Sequence, residues 1–235
     1  MKKLFVLAAI ILMISTHSFA AERKLLKDVD GNELTSDLQK YLQTQGNKHT
    51  AIIWWLPYEF WASSLARDTT TDEVSKKTIL DTMSGISFLV IVQADVTALA
   101  AFEFYDKDEI EKSMQISYTN TEGRKQKILP MKTLSPNQEI VLAVFKPVLA
   151  AAMGNMGNNM HFFAFNDKSD QSSRLLDPYN KGFIDIQLSK RNGAMMTTNI
   201  ETPLNSLFVP RKCSNGKDAH ISWKYCPWAG ERLEN

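Results

Sequence analysis

One apolar stretch, residues 135–166, constrains the fold of this chain more than any other part of its sequence. Ser135 and Gln138 have the spacing of a capping box, so a helix is expected to begin there. Apolar residues then recur at helical spacing as far as Met153. After a Gly/Asn/Met turn, residues 160–165 form a short apolar run that is typical of a buried strand. We therefore expect this stretch to supply a helix and a strand at the centre of the core.

The rest of the chain carries helix and strand signals interspersed with hairpin turns, which favours an α+β fold with a mainly antiparallel sheet and several packed helices. Residues 21–209 are expected to form a single α+β domain, and residues 210–235 a small C-terminal knuckle. The predicted strands are residues 51–56, 86–92, 98–105, 115–118, 125–131, 183–188 and 194–200. The further predicted helices are residues 34–42, 58–67, 70–83 and 106–114, and the last two are expected to begin with capping boxes, Thr70 with Glu73 and Asp106 with Glu109.

The first twenty residues predict a secretory signal peptide. Lys2 and Lys3 precede an apolar stretch, residues 4–14, and residues 18–20 have the small-x-small pattern of a cleavage site. No later run reaches about 18 apolar residues, so no transmembrane span is expected. These features predict a soluble protein of the periplasm, or a secreted one.

Composition and motifs argue against several function classes. The signal holds two of the 27 basic residues and none of the 26 acidic ones, so the mature chain is nearly neutral. A neutral chain lacks the basic footprint of a nucleic-acid-binding protein. The sequence also lacks a nucleophile elbow, an H-E-x-x-H helix, a phosphate loop and a dinucleotide fingerprint. We therefore expect a non-catalytic protein without a cofactor, although an enzyme stays open.

The only two cysteines, Cys213 and Cys226, lie near the C-terminus. In an oxidising compartment an even pair predicts a disulfide. The surrounding sequence looks like the two knuckles of a zinc ribbon, but Gly216 and Ala229 occupy the expected second-ligand positions. A closed zinc site needs four ligands, and His220 is the only nearby substitute. A disulfide that fastens the knuckle is therefore favoured over zinc.

The chain resembles a family of uncharacterised exported bacterial proteins whose C-terminal knuckle is a degenerate zinc ribbon. The resemblance is carried by P-Y-E-F-W at residues 57–61, by residues 146–149 and 153–163, and by W-K-Y-C-P-W at residues 223–228. It extends over most of the mature chain. The family has no assigned activity, so the resemblance implies no catalytic residue. Members carry histidine before the last glycine, where this chain has Ala229.

Aromatic residues give the leading hypothesis for function. Trp54, Trp55, Trp61 and Phe162 are expected either to fill the core or to form one wall of an apolar groove. With no catalytic motif, the second alternative predicts a binding or interaction protein of the cell envelope. Its partner would be another envelope protein or an apolar small ligand.

One alternative is a hydrolase that uses His161 with carboxylates. Glu59, Glu103, Asp106 and Asp177 are the carboxylates considered, and nothing in their spacing predicts that they meet.

Another alternative is periplasmic copper handling by Met153, Met156, Met160 and His161. Thioether and imidazole ligands suit Cu(I). Methionines also fill irregular gaps in cores, and this run joins two expected core elements.

Overall fold

The computed structural model describes residues 21–44, 48–168 and 174–233, so the predicted signal peptide lies outside the described residues. The predicted α+β class is confirmed. The α-helices are α1 (Gly31–Leu38), α2 (Tyr58–Arg67), α3 (Glu73–Met83), α4 (Lys107–Ser113) and α5 (Pro136–Ala152). The strands are β1 (Gln39–Gln43), β2 (His49–Leu56), β3 (Ile86–Val96), β4 (Phe102–Phe104), β5 (Gln115–Thr119), β6 (Lys125–Ile128), β7 (His161–Asn166), β8 (Gly182–Ser189), β9 (Met195–Thr202), β10 (Arg211–Lys212) and β11 (Asp218–Ala219).

Strand β3 is the centre of the larger sheet. It pairs antiparallel with β2 on one side, and with both β4 and β7 on the other, while β1 pairs with the outer edge of β2. Val90 lies opposite both Trp54 and Phe162. Residues 86–94 are all buried, which explains why this strand is apolar there except at Ser87 and Gln93.

A second antiparallel sheet has the strand order β6-β5-β8-β9, with β9 lying beside β1 of the first sheet. In β8 the side chains alternate, with Ile184, Ile186 and Leu188 buried and the intervening residues partly exposed. This period of two is what a sheet covered on one face requires. Residues from both sheets belong to one hydrophobic core.

Helix starts follow local capping chemistry. The predicted capping box of Ser135 and Gln138 opens α5, with both reciprocal hydrogen bonds present. The prediction that Thr70 caps the third helix was wrong, because the Asp72 carboxylate accepts from the first backbone N–H groups of α3 at 3.0 Å. An ionised aspartate is also favoured at the positive end of a helix.

Helix α5 does not lie at the centre of the core, contrary to the sequence-based expectation. Leu149 is its only buried residue, and Ile140, Val144 and Val148 are 63%, 63% and 64% exposed. The apolar residues of this helix lie on all its sides, so their spacing does not show which face packs against the core. Strand β3 takes the central place instead, and β7 packs against it as the expected buried strand. No helix in the described part of the chain is long and apolar enough to cross a membrane.

Candidate functional site

The C-terminal knuckle, residues 210–233, is a short hairpin with an ordered loop after it. Strands β10 and β11 pair antiparallel with Arg211 opposite Ala219. The Arg211 guanidinium donates to three backbone carbonyl groups of the loop after β11, at 2.6–2.9 Å. The Nη2 atom makes all three contacts, so this one side chain fixes the course of the loop.

A disulfide joins Cys213 to Cys226, as the sequence predicted. Their Cα atoms are 5.8 Å apart, within the usual range for a disulfide. Both cysteines are buried and form a small cluster with Ala219 and Leu233, separate from the main core. The knuckle is therefore closed by a disulfide and has a small hydrophobic core of its own.

Glu231 lies beside the disulfide. Its Oε1 accepts a hydrogen bond from the backbone N–H of Ser214 at 2.8 Å. This bond lowers the pKa of the Glu231 carboxyl, which is therefore ionised at neutral pH. One metal-ligating atom from each of Cys213, Cys226 and Glu231 lies within 4.8 Å of the other two.

His220, which the sequence offered as a third zinc ligand, is not part of that group. Its Nδ1 is 2.8 Å from the Ser222 hydroxyl, and its ring lies 6.0 Å from the ring of Trp223. The imidazole therefore supports the loop after β11 and one tryptophan.

The knuckle presents three large aromatic side chains to solvent, Trp223, Tyr225 and Trp228, which we call the aromatic knuckle surface. They are 38%, 60% and 49% exposed. The two indole rings meet edge to face, with centroids 5.8 Å apart, and the Lys217 ammonium lies 4.8 Å from the centroid of the Trp228 ring. These contacts restrict the orientations of the two indole rings while leaving much of their surface exposed.

The knuckle also differs in charge from the rest of the chain. Residues 210–235 contain five basic and three acidic residues, whereas residues 21–209 contain 20 basic and 23 acidic residues. The knuckle therefore has a net charge of about +2 and the larger domain about −3.

The aromatic residues proposed from sequence do not form a groove. Trp54, Trp55 and Trp61 are buried in the core, so their rings offer no face to a ligand. Phe162 is half-buried and, with Phe88 and ten other residues, lines a cavity of about 210 Å³ that none of the three tryptophans lines. This cavity is smaller than the ~300–1,000 Å³ of typical small-molecule sites.

The predicted copper ligands lie around the end of α5 and the start of β7. Met160 is buried, Met153 and Met156 are partly buried against the core, and His161 is half-buried. The Nε2 of His161 donates to the Tyr105 carbonyl at 3.0 Å, which leaves Nδ1 as its available ligand atom. Burial lowers the pKa of His161, so the neutral form predominates. Copper binding stays a prediction.

Glu59 belongs to a buried ion cluster. The Arg174 guanidinium lies between two carboxylates and donates to Glu59 at 2.5 Å and to Asp167 at 3.0 and 2.7 Å. Burial raises the pKa of both carboxyls, and Arg174 opposes that rise. The cluster ties α2 to the chain beyond β7.

The other candidate carboxylates have separate roles. Asp106 caps α4 in a capping box, Asp177 accepts from the backbone N–H of Tyr179 at 2.9 Å, and Glu103 is exposed near Arg191. Within the described ranges, no hydrogen bond joins His161 to a carboxylate. Hydrolysis by His161 stays a prediction.

Sequence reasoning missed a polar network at the junction of the two sheets. His49 Nδ1 lies 2.6 Å from an oxygen of Asp95, and His49 Nε2 lies 3.3 Å from the amide nitrogen of Gln93. The second Asp95 oxygen accepts from the Tyr105 hydroxyl at 3.1 Å and from Arg191 at 3.3 Å. Both nitrogens of His49 are thus occupied and the residue is buried, so the network joins the sheets rather than offering a free base.

Comparisons of the chain with models of protein families, with curated proteins and with solved structures give no match.

Proposed function

We propose that this chain is a non-catalytic interaction protein of the cell envelope, and that it binds a protein partner through the aromatic knuckle surface. The observation that carries the proposal is the exposure of Trp223, Tyr225 and Trp228 on one small disulfide-bonded knuckle. Tryptophan and tyrosine are the residues most enriched among energetic hot spots of protein interfaces.

The rigidity of the knuckle supports this assignment. The disulfide and the bonds from Arg211 fix the backbone that carries the rings, and Lys217 restrains Trp228. A surface that is ordered before binding loses less conformational entropy when a partner arrives. The same three rings on a flexible tail would bind more weakly.

The charge of the knuckle indicates the chemistry of the partner. A net charge of about +2 on residues 210–235 favours an acidic protein segment, and the opposite charge of the larger domain disfavours contact of that segment elsewhere. The partner we propose is therefore an acidic segment of another envelope protein.

Photocrosslinking in cells tests this function. A photoreactive phenylalanine analogue replaces Tyr225, which is 60% exposed, or Tyr41, a matched control on β1 that is 68% exposed. We expect a discrete adduct from position 225 that adds the mass of a second protein and yields its peptides on digestion, and no adduct from position 41. The double variant Trp223→Ala/Trp228→Ala should lower its yield at least about tenfold, because truncating one hot-spot ring costs ~2 kcal/mol or more.

Equal adducts from both positions, no adduct from position 225, or an adduct that carries the mass of a lipid or a glycan and no peptides of a second protein would each overturn the proposal.

A further inference from the structure

The ligand atoms around the disulfide point to a second chemical state of the knuckle. We propose that, once the disulfide is reduced, Cys213, Cys226 and Glu231 bind one zinc ion. The sulfurs and one carboxylate oxygen already lie within 4.8 Å of one another. This proposal does not rest on the proposed partner, because zinc is titrated into the chain alone.

The donor set suits zinc. Thiolate sulfur and carboxylate oxygen are common zinc ligands, and three protein ligands with one water form an open tetrahedral site. At a Zn–S distance of about 2.3 Å, two sulfurs of a tetrahedral site are about 3.8 Å apart. The two sulfurs reach that separation by moving about 1.8 Å further apart than in a disulfide, once the bond between them is broken.

Each of the two loops that carry the cysteines is closed by a backbone hydrogen bond that does not involve the disulfide. Gly216 donates to the Cys213 carbonyl at 2.8 Å, and Gly230 donates to the Cys226 carbonyl at 2.9 Å. The bond from the Ser214 N–H to Glu231 then links one loop to the other. These bonds favour proximity of the three donors in the reduced knuckle, and zinc binding would offset the stability lost with the disulfide.

The chemistry balances with a dithiol as the reductant. The dithiol transfers two electrons and two protons to the disulfide, giving two cysteine thiols, and is itself oxidised to a cyclic disulfide. Zinc then displaces one proton from each thiol into solvent and keeps its oxidation state. The ionised Glu231 carboxylate completes the protein ligands, with one coordination position left for water.

The experiment compares oxidised and reduced forms of the mature chain. Protein is reduced with a dithiol, freed of reductant without oxygen and titrated with zinc against a chromophoric chelator, and bound zinc is counted by native mass spectrometry. We expect one zinc per reduced chain and none per oxidised chain. Cobalt(II) should replace zinc and give a near-ultraviolet thiolate-to-metal charge-transfer band.

Glu231→Gln tests the third ligand, and Asp218→Asn is its matched control, since Asp218 is an exposed knuckle acid that pairs with Lys212. We expect Glu231→Gln to weaken zinc binding at least about tenfold. Losing a group that only hydrogen-bonds a metal ligand already lowers metal affinity by about 10- to 100-fold, and Glu231 is proposed as a ligand itself. The control should bind as the parent does. The glutamine can still accept from Ser214, and circular dichroism of the oxidised variant checks its fold.

No zinc on the reduced chain, equal zinc on the oxidised chain, or unchanged affinity in Glu231→Gln would each overturn the proposal.

Discussion

Replacing Arg174 by methionine tests whether the buried ion cluster holds the larger domain together. The side chain of Arg174 donates three hydrogen bonds to Glu59 and Asp167, whose side chains are 5% and 1% exposed. Methionine keeps much of the length and apolar stem but removes the charge. Two carboxylates would then face each other in the core without a cation.

The magnitude follows from that geometry. Breaking a buried ion pair by removing one partner costs about 3–5 kcal/mol, because an uncompensated charge stays in the interior. Arg174 keeps 29% of its side-chain surface exposed, so water replaces part of what it provides. We therefore expect a loss of about 3 kcal/mol, a large share of the ~5–15 kcal/mol by which domains are stable.

The loss depends on pH in a defined direction. Burial raises the pKa of Glu59 and of Asp167, and Arg174 opposes the rise. A carboxyl with a raised native-state pKa binds protons more readily when folded, so stability falls as pH rises from about 4 through the raised value. Removing Arg174 raises both pKa values further. The gap between variant and parent should be widest near pH 8 and narrow toward about pH 5.

Urea unfolding followed by tryptophan fluorescence measures this effect, since Trp55 and Trp61 are buried. With a slope of about 2–3 kcal/mol/M, the midpoint near pH 8 should fall by about 1–1.5 M. Arg124→Met is the control, because Arg124 pairs with Glu122 on the surface and such pairs contribute ~1 kcal/mol or less. A shift for Arg174→Met no larger than the control's, or one that does not depend on pH, would refute this account of the cluster.

Two further predictions concern the disulfide of the knuckle and the orientation of α5. Cys213→Ser/Cys226→Ser should destabilise the knuckle by about 3 kcal/mol by the chain-entropy estimate, seen as faster amide hydrogen exchange in residues 210–233 with β3 unchanged. Exchange unchanged in the knuckle would show that the disulfide adds nothing there. Leu149→Ala should cost about 2–5 kcal/mol and Val144→Ala less than ~0.5 kcal/mol in thermal unfolding, because only Leu149 is buried. A larger loss for Val144→Ala than for Leu149→Ala would show that α5 packs on the core through a different face.

Features set by neighbouring residues were predictable from sequence. The capping boxes of Ser135 with Gln138 and of Asp106 with Glu109 are present, and so is the disulfide between Cys213 and Cys226. Each depends on groups a few residues apart or on a simple count of cysteines. The same holds for the hairpins around β5 and β8, whose turns have clear signals.

Features that depend on which surfaces meet were not predictable. Apolar residues lie on several sides of α5, so their spacing did not show which side packs on the core. Ile140 and Val144 were therefore wrongly expected there. The tryptophans of β2 and α2 had the composition of a core or of a groove. His49 and Asp95 are 46 positions apart, and only the pairing of β2 with β3 brings them together.

The candidate site shows the same division between local and long-range information. The sequence located the knuckle and its disulfide, because those follow from cysteine number and spacing. It offered His220 as the only nearby substitute ligand in a zinc reading that it disfavoured, whereas folding brings Glu231 to the sulfurs. It also looked for a binding surface among the many aromatics of the larger domain, where burial stabilises the core. The aromatics of the knuckle stay exposed because that segment is too small to bury them, since among its described residues the knuckle core holds only Cys213, Ala219, Cys226 and Leu233. A segment of that size keeps large rings at its surface only at a cost in solvation, and binding a partner there would recover that cost.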